Sequence, residues 1–395
     1  MKLVVGSSVE GPNFFGRLGE LAELDSRLAQ DHVLLLAPRR VGKSSLLKAY
    51  RDRARTDGAD IVYADVQDVR PGPDTEATFV RAVLEAIYRS PAGRRVRPGW
   101  WARRRAARHS RLTKVDTPVG GAEVEHLPIP WQREADQAFD PLLAAGRRWI
   151  VLLDELPNVV QALAELDTSG ERARAFLAWF RALRNRSNDA GAPLRFVVCG
   201  SIGLDNVARR LRCTDTINDL HAWTIGAFSN HDADAFLVAL AQAYGVTLSP
   251  EVRAAVIAAV EWPIPHHLQA LAQELFSVAA RGPLAPSAVE TAIEALVANR
   301  TYFNTWDERL TSSLGAPHDD HARAILIACA RDPAGFPRDH LGQLLAEAGV
   351  AEAERARART WLEEALTHDG YLIRHGDRLR FRSALLRRYW LRNFV

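Results

Sequence analysis

The sequence is poor in lysine, in cysteine and in long apolar runs. Only four of its 51 basic residues are lysine, a bias typical of a GC-rich genome rather than of one function. The three cysteines (Cys199, Cys213 and Cys329) lack the spacing of a disulfide framework or a metal site, which favours a reducing compartment. The apolar stretch at the start of the sequence is too short for the core of a signal peptide. No apolar run approaches the roughly 18 residues that a membrane helix needs. We therefore expect a cytoplasmic protein without a membrane span.

Length and composition are those of an ordinary globular protein. The chain has 395 residues, of which 47% are hydrophobic and 25% are charged, and its net charge is +3. This length is sufficient for two or three domains with cores of their own. No internal repeat, low-complexity tract, nuclease motif or protease motif is visible, so function has to be inferred from local motifs.

Residues 31–48, DHVLLLAPRRVGKSSLLK, are the most informative part of the chain. An apolar run predicts a strand, a helical pattern follows, and between them lies a segment that matches the phosphate-loop consensus G-x-x-x-x-G-K-[ST]. The residues predicted to surround a nucleotide there are Ala37, Pro38, Arg39, Arg40, Val41, Gly42, Lys43, Ser44 and Ser45. Ala37 replaces the first glycine. Lys43 is predicted to bridge the β- and γ-phosphates of ATP, and Ser44 to bind Mg²⁺. A surface turn is the alternative, but the flanking strand and helix favour the phosphate loop.

The second half of a nucleotide site is predicted at residues 147–157, RRWIVLLDELP. The run is apolar on both faces, as in a buried parallel strand, and Asp154 follows at its carboxyl end, where open α/β sheets bind ligands. We expect Asp154 to contact Mg²⁺ through water and Glu155 to act as the general base for hydrolysis. A solvated strand end is the alternative, and the phosphate loop upstream makes it the weaker interpretation.

A third buried strand is predicted at 194–199, with Gly200 and Ser201 at its tip. The Ser201 hydroxyl is a candidate sensor of the γ-phosphate, although a tight turn explains the same two residues. Arg209 and Arg210 follow in VARRLR, where the next helix should end, and either is a candidate arginine finger across a subunit contact. A solvated helix face is the alternative for both arginines.

These segments resemble the STAND and archaeal-type P-loop ATPases, which are relatives of AAA+ proteins. The resemblance rests on FFGRLGELAEL (14–24), APRRVGKSSL (37–46), LLDELP (152–157) and VVCGSIGL (197–204). It implies a five-stranded parallel core in which the sensor strand separates the phosphate-loop strand from the acidic strand. It also implies that Gly16 and Arg17 lie beside the adenine. Within EWPIPHHLQAL (261–271), Pro265 corresponds to a lid proline that faces the nucleotide, and Glu261 replaces the family's glycine.

The resemblance also implies the domain order, and the helical patterns agree with it. The predicted fold is an α/β P-loop NTPase core with a parallel sheet, followed by an α-helical lid and a winged-helix domain. The boundaries are predicted as 1–225 for the core, 226–316 for the lid and 317–395 for the winged helix, with a basic insertion near 91–134. We infer the insertion because the interval between Lys43 and Asp154 is too long for one strand and one helix. The insertion contains a hairpin-like pattern at Gly120 and Gly121.

Two basic segments are candidates for contact with DNA. Residues 94–114 contain nine cations and no acid, whereas the whole chain carries only +3. In the predicted wing at 378–382, Arg378, Arg380 and Arg382 alternate and so share one strand face. Such clusters suit a phosphate backbone or an acidic partner. A solvated surface is the alternative for both segments.

Three classes of function fit these features. The first is an ATP-driven switch or motor whose nucleotide state controls engagement of DNA or of a separately encoded effector protein, with nucleotide-dependent homo-oligomers among the possibilities. The second is a DNA-binding regulator that uses ATP only as a ligand. The third is an interaction scaffold with little turnover, which the intact Lys43, Ser44, Asp154 and Glu155 argue against.

Overall fold

The structure is a computed structural model that describes residues 1–53, 58–99, 131–191, 193–200, 203–280 and 282–395. Five parallel strands form the central sheet, in the order β2-β3-β4-β1-β5. They are β1 (His32–Leu36), β2 (Asp60–Asp65), β3 (Trp149–Asp154), β4 (Leu194–Cys199) and β5 (Leu220–Thr224). The sensor strand β4 therefore lies between the phosphate-loop strand β1 and the acidic strand β3, as predicted. The pattern of IVYADVQDV (61–69) predicts a strand, but β2 ends at Asp65, because Asp65 accepts a hydrogen bond from the Gln67 amide and begins a turn.

Eight described helices belong to the core. They are α1 (Leu18–Gln30), α2 (Lys43–Asp52), α3 (Thr75–Arg89), α4 (Pro91–Val96), α5 (Trp131–Ala144), α6 (Leu156–Leu166), α7 (Glu171–Asp189) and α8 (Leu204–Arg210). The helices that the apolar periodicity of GELAELDSRLAQ (19–30) and of EATFVRAVLEAIYRS (76–90) predicts are confirmed as α1 and α3. The hairpin predicted in the insertion lies outside the described residues.

The two faces of the sheet bury two separate hydrophobic cores, because alternate residues of each strand point to opposite sides. On β3, Ile150 and Leu152 belong to one core, and Val151 and Leu153 belong to the other. This explains why the strand is apolar without alternation. The core that contains Ile150 continues into the helices after residue 225, whereas the other core is closed by α3 and α5 to α8.

Five helices follow the sheet: α9 (Asn230–Ala243), α10 (Pro250–Val260), α11 (Pro265–Ala279), α12 (Ala288–Ala298) and α13 (Asn304–Leu314). Their starts follow ordinary capping chemistry. Ser229 accepts a hydrogen bond from the Asp232 amide, and Ser249 accepts one from the Val252 amide ahead of α10. Gly245, with φ +64°, follows the end of α9, where a glycine adopts this conformation easily.

The C-terminal unit contains three helices, a small sheet and a last helix. These are α14 (His318–Arg331), β6 (Phe336–Pro337), α15 (Leu341–Glu347), α16 (Glu352–His368), β7 (Leu372–His375), β8 (Arg378–Phe381) and α17 (Ala384–Phe394). Strands β7 and β8 form the predicted hairpin around Gly376, and β6 pairs with β8 to give the order β6-β8-β7. The predicted fold class, a parallel core followed by helices and a winged-helix arrangement, is thus confirmed. None of the helices in the described residues combines the length and apolar character that a membrane span needs.

Candidate functional site

The phosphate loop lies between β1 and α2, and its lysine is already held in place. Gly42, with φ +102°, turns the chain into α2, and Lys43 is the first residue of that helix. The Lys43 side chain is only 8% exposed, and its Nζ donates hydrogen bonds to the carbonyls of Ala37 (2.7 Å) and Pro38 (3.1 Å). Burial lowers the pKa of this ammonium group. A buried cation at a helix N-terminus is a strong attractor for an anion.

The acidic side of the site is the carboxyl end of β3. Asp154 is 2% exposed, and its two carboxylate oxygens accept hydrogen bonds from the Tyr63 hydroxyl (2.7 Å) and from Cys199 Sγ (3.0 Å). Burial raises the pKa of the Cys199 thiol, which therefore keeps its proton and acts as the donor. Residues from β2 and β4 thus fix the carboxylate on the strand between them.

Glu155 follows in an unusual backbone conformation that turns it out of the strand. Its φ is +66°, a left-handed value that non-glycine residues rarely adopt, and Asn158 Nδ2 donates a hydrogen bond to its Oε2 at 3.0 Å. The tip of β4 lies directly against this turn. A Cβ on Gly200 would be 2.5 Å from Cδ of Pro157, so only glycine fits there. Ser201, the predicted sensor, lies outside the described residues.

A cleft of about 360 Å³ extends from the phosphate loop and Glu155 to a group of aromatic rings. These rings are Phe14, Phe15, Phe228 and Phe236. The ring centres of Phe15 and Phe228 lie 5.3 and 5.4 Å from that of Phe236, respectively. One end of the cleft is therefore cationic and the other apolar, which matches the polarity of a nucleotide from phosphates to base.

Gly16 and Arg17, predicted to lie beside the adenine, connect the aromatic end of the cleft to the phosphate loop. Gly16 has φ +64° and Arg17 has φ +57°. Arg17 Nη2 donates to the carbonyl of Val41 (3.0 Å) and to that of Gly226 (2.8 Å), and its guanidinium lies 5.0 Å from the ring centre of Phe228. In this structure Arg17 thus acts as a bridge between the loop and the chain after β5, while also lining the cleft.

The lid contributes the start of α11 to the same cleft. Pro265 is the first residue of that helix, and both Pro265 and His266 line the cleft. Glu261, which replaces the glycine expected from the resemblance, has φ +56° and so keeps the left-handed conformation that glycine would adopt easily.

The N-terminal segment crosses the cleft, and the sequence had given no indication of this. The Val9 amide donates to Ser45 Oγ at 3.0 Å, and the Val4 amide donates to Gln269 Oε1 on α11 at 2.7 Å. The segment therefore connects the helix of the phosphate loop to the lid. Backbone amide contacts of this kind carry no side-chain signature, which explains why sequence patterns did not reveal them.

The loop arginines and one of the two candidate finger arginines have partners from the C-terminal half. Arg39 donates to the carbonyl of Thr305 (3.0 Å), and Arg40 donates to its hydroxyl (2.9 Å). Arg209 forms an ion pair with Glu364 on α16, and Arg210 is exposed. Arg209 thus lies at the contact between α8 and the C-terminal unit.

The wing arginines also make contacts within the chain. Arg378 donates to Asp332 (2.8 Å) and to the carbonyl of Gly335, and Arg382 lies 5.3 Å from the ring centre of Trp262 in the lid. In the other basic segment, the guanidinium of Arg94 donates to the carbonyl of Arg89. Residues 100–114 of that segment lie outside the described residues.

Comparison with known proteins supports the fold. No family model and no curated protein sequence matches the chain. Among solved structures, a Walker-type ATPase of Pyrococcus abyssi matches 98% of this chain and 99% of its own, with a TM-score of 0.63 and 17% identity. The ORC2 protein of Aeropyrum pernix, solved with ADPNP and ADP, matches 96% of this chain and 94% of its own, with a TM-score of 0.52 and 14% identity. The chain therefore has the fold of an AAA+-like P-loop ATPase over nearly its whole length.

Proposed function

We propose that the protein binds ATP with Mg²⁺, hydrolyses it slowly and uses its nucleotide state to control engagement of DNA or of a partner protein. The observation that carries this proposal is the convergence of the buried Lys43, the buried Asp154 and Glu155 at the carboxyl edge of one parallel sheet. Within the AAA+-like fold, we further propose membership of the STAND group, because its motifs fall at these positions.

The chemistry follows from the residues at each end of the cleft. Lys43 and the amides at the start of α2 would bind the β- and γ-phosphates, and the aromatic rings would enclose the base. Ser44 and Asp154 offer the hard oxygen donors that Mg²⁺ prefers, and the ion would neutralise charge on the phosphates. Asp154 would act through water, and its two hydrogen bonds hold it in place.

Glu155 is the proposed general base. Its carboxylate is partly exposed beside the cleft, and Asn158 fixes its orientation. A carboxylate in this position would accept a proton from the attacking water as the water adds to the γ-phosphorus. Asp154, which is more deeply buried and engaged on both oxygens, is less suited to that task.

Engagement of DNA is supported by the charge of residues 94–114, while the wing arginines are partly engaged within the chain. Binding to DNA through the basic segment should weaken steeply with salt. The slope of log affinity against log salt should be about −0.9 for each phosphate neutralised. A partner protein remains the alternative target if the slope is flat.

The ATP proposal is tested by calorimetry and by phosphate release. Lys43→Ala should abolish ATP binding, because the phosphates lose their cation, whereas Glu155→Gln should bind ATP and lose turnover. Arg89→Ala is the control: Arg89 pairs with Glu85 (3.0 Å) on α3, neither residue lines the cleft, and the variant should bind ATP like the wild type. Equal ATP affinity in the wild type and Lys43→Ala would exclude the proposed site.

A further inference from the structure

The start of α11 borders the stretch of the cleft that joins its two ends. On the aromatic side, the amide of Phe228 donates a hydrogen bond to the carbonyl of Pro263, just ahead of α11 (3.1 Å). On the side of the phosphate loop, Arg40 lies close enough to His266 for its charge to lower the pKa of the imidazole ring. Pro265 and His266 line the cleft between these two points. A ligand that spans the cleft therefore has to pass the start of α11.

His266 is buried in this stretch without a hydrogen-bond partner. Its side chain is 7% exposed, and neither ring nitrogen forms a hydrogen bond with any of the described residues. A backbone group of Tyr302 lies near enough to raise the pKa of the ring, but it does not have the geometry of a hydrogen bond. Buried polar atoms nearly always have a partner, and an unpaired one costs about 1–3 kcal/mol. Because His266 lines the cleft, a ligand in the cleft can supply the missing partner.

Gln269 shows how a neighbouring side chain of α11 is satisfied. It is also 7% exposed and lines the cleft, and its Oε1 accepts a hydrogen bond from the Val4 amide at 2.7 Å. Residues three apart lie on the same face of a helix, so His266 and Gln269 point to the same side. The N-terminal segment thus provides a partner for Gln269, whereas the space beside His266 belongs to the cleft.

The protonation state of His266 limits what this partner can be. Burial lowers its pKa well below the usual value, and the charges of Arg40 and His267 lower it further. The ring is therefore neutral at physiological pH, and it cannot act as a cation for a phosphate as Lys43 does. A neutral imidazole has one N–H donor and one nitrogen acceptor. A hydroxyl group can accept from the first or donate to the second, so it suits the ring in either tautomer.

The hydroxyl groups of ATP are on its sugar. A nucleotide with its phosphates at Lys43 and its base among the aromatic rings has its ribose in the stretch beside α11. We propose that His266 forms a hydrogen bond with a ribose hydroxyl and so makes the site selective for ATP over its deoxy analogues. This inference rests on the proposed function and deepens it, because it names the class of nucleotide that the site prefers. His266 is thus a specificity-determining residue on the lid.

The test compares the affinities for ATP, 2′-deoxy-ATP and 3′-deoxy-ATP, measured by calorimetry with Mg²⁺ on the full chain. The wild type should bind ATP roughly 10-fold more tightly than the analogue that lacks the contacted hydroxyl, because a buried nitrogen of His266 then stays unpaired. His266→Ala should weaken ATP binding by about the same factor and leave the affinity for that analogue nearly unchanged. The preference for ATP should therefore disappear in the variant.

Two further variants show whether the ring nitrogens cause the preference. His266→Phe keeps an aromatic ring in the same place without the nitrogens, and it should lose the preference as His266→Ala does. His231→Ala is the matched control, since His231 lies on the lid helix α9 but is exposed and does not line the cleft. It should keep the preference of the wild type.

The outcomes separate this inference from the proposed function. If Lys43→Ala abolishes binding but the wild type binds all three nucleotides equally, the site stands and the role of His266 is wrong. Equal weakening of all three nucleotides by His266→Ala would also overturn the inference, because it would show that the side chain only supports the lid. If His266→Ala does not fold, His266→Phe decides the matter, and an unchanged preference in that variant would contradict the proposal. Absence of ATP binding in the wild type would instead refute the proposed function.

Discussion

The phosphate loop and a surface that we call the docking face (Thr305, Arg309, Asp369 and Gly370) lie against each other but are built in different ways. The loop is one continuous segment, and its geometry is fixed by β1, by α2 and by the left-handed turn at Gly42. The docking face brings together α13 and the end of α16, which are more than 50 residues apart in the chain. The loop therefore depends on local structure, whereas the docking face depends on tertiary packing.

This difference has consequences for function. Lys43 is held by the carbonyls of Ala37 and Pro38 within the loop, whereas Arg309 is held by Asp369, whose neighbour Gly370 packs on Pro38. Binding of the two phosphates common to ATP and ADP should rely on the loop. The docking face should determine how firmly the C-terminal unit is held against the loop.

The largest expected effect comes from forcing the two regions apart with Gly370→Val. A Cβ at Gly370 would lie 2.7 Å from Pro38 Cβ and 3.0 Å from Trp262 Cη2, and the residue has φ +88°. Strain and overpacking together should lower the free energy of unfolding by about 2–4 kcal/mol. Urea denaturation measures this loss, and ADP affinity should change little because the loop remains intact.

The matched control is Gly349→Val. Gly349 has nearly the same φ, +87°, but a Cβ there would meet no atom of the described residues within 4 Å. It should therefore show only the cost of the backbone conformation, about 1–2 kcal/mol. Equal losses in the two variants would mean that the contact with Pro38 contributes nothing to docking.

The same contrast explains what the sequence could reveal. The loop and the acidic strand depend on local patterns, and the sequence predicted them, whereas the order of the central sheet was implied by the resemblance to P-loop ATPases. In THDG (367–370), by contrast, Gly370 looks like an ordinary helix stop, and that local role is real. Its second role, close approach to Pro38, appears only when residues more than 300 positions apart are packed together. The buried ion pair of Arg309 with Asp369 was missed for the same reason, since a single arginine on a helix usually faces solvent.

The second prediction concerns the pH dependence of the docking face. Burial by itself would raise the pKa of Asp369, but Arg309 and His368 outweigh it, so the net shift is downward. A carboxylate whose pKa is lower in the folded state stabilises the fold above its unfolded pKa of about 3.9 and loses this effect as the pH falls through the folded value. Asp369→Asn should therefore lose about 2–3 kcal/mol of unfolding free energy at pH 7, with a difference from the wild type that shrinks below about pH 4.

Urea denaturation of the two proteins at several pH values measures this difference. Asp68, which is exposed in the turn after β2, supplies the control: Asp68→Asn should differ little from the wild type at any pH. A loss in Asp369→Asn that stays constant from pH 7 to pH 3 would show that its charge does not stabilise docking. The contrast between a docking face held by charge and a loop held by backbone geometry would then disappear.

The smallest expected effect tests the loop side alone. The Tyr63 hydroxyl donates a hydrogen bond to Asp154 at 2.7 Å and so orients that carboxylate. The ammonium group of Lys48 lies 5.4 Å from the ring centre of Tyr63 and helps to hold the ring in place. Tyr63→Phe removes that donor and should raise the Mg²⁺ concentration needed for nucleotide binding about 10-fold, because partners of this kind orient metal ligands. A Mg²⁺ titration of nucleotide binding measures the shift.

Tyr88→Phe, which loses a hydrogen bond to the carbonyl of Ala138 (2.9 Å) far from the cleft, should leave the Mg²⁺ requirement unchanged. An unchanged Mg²⁺ requirement in Tyr63→Phe, or an equal change in Tyr88→Phe, would mean that the Tyr63 hydroxyl does not orient Asp154 for the metal.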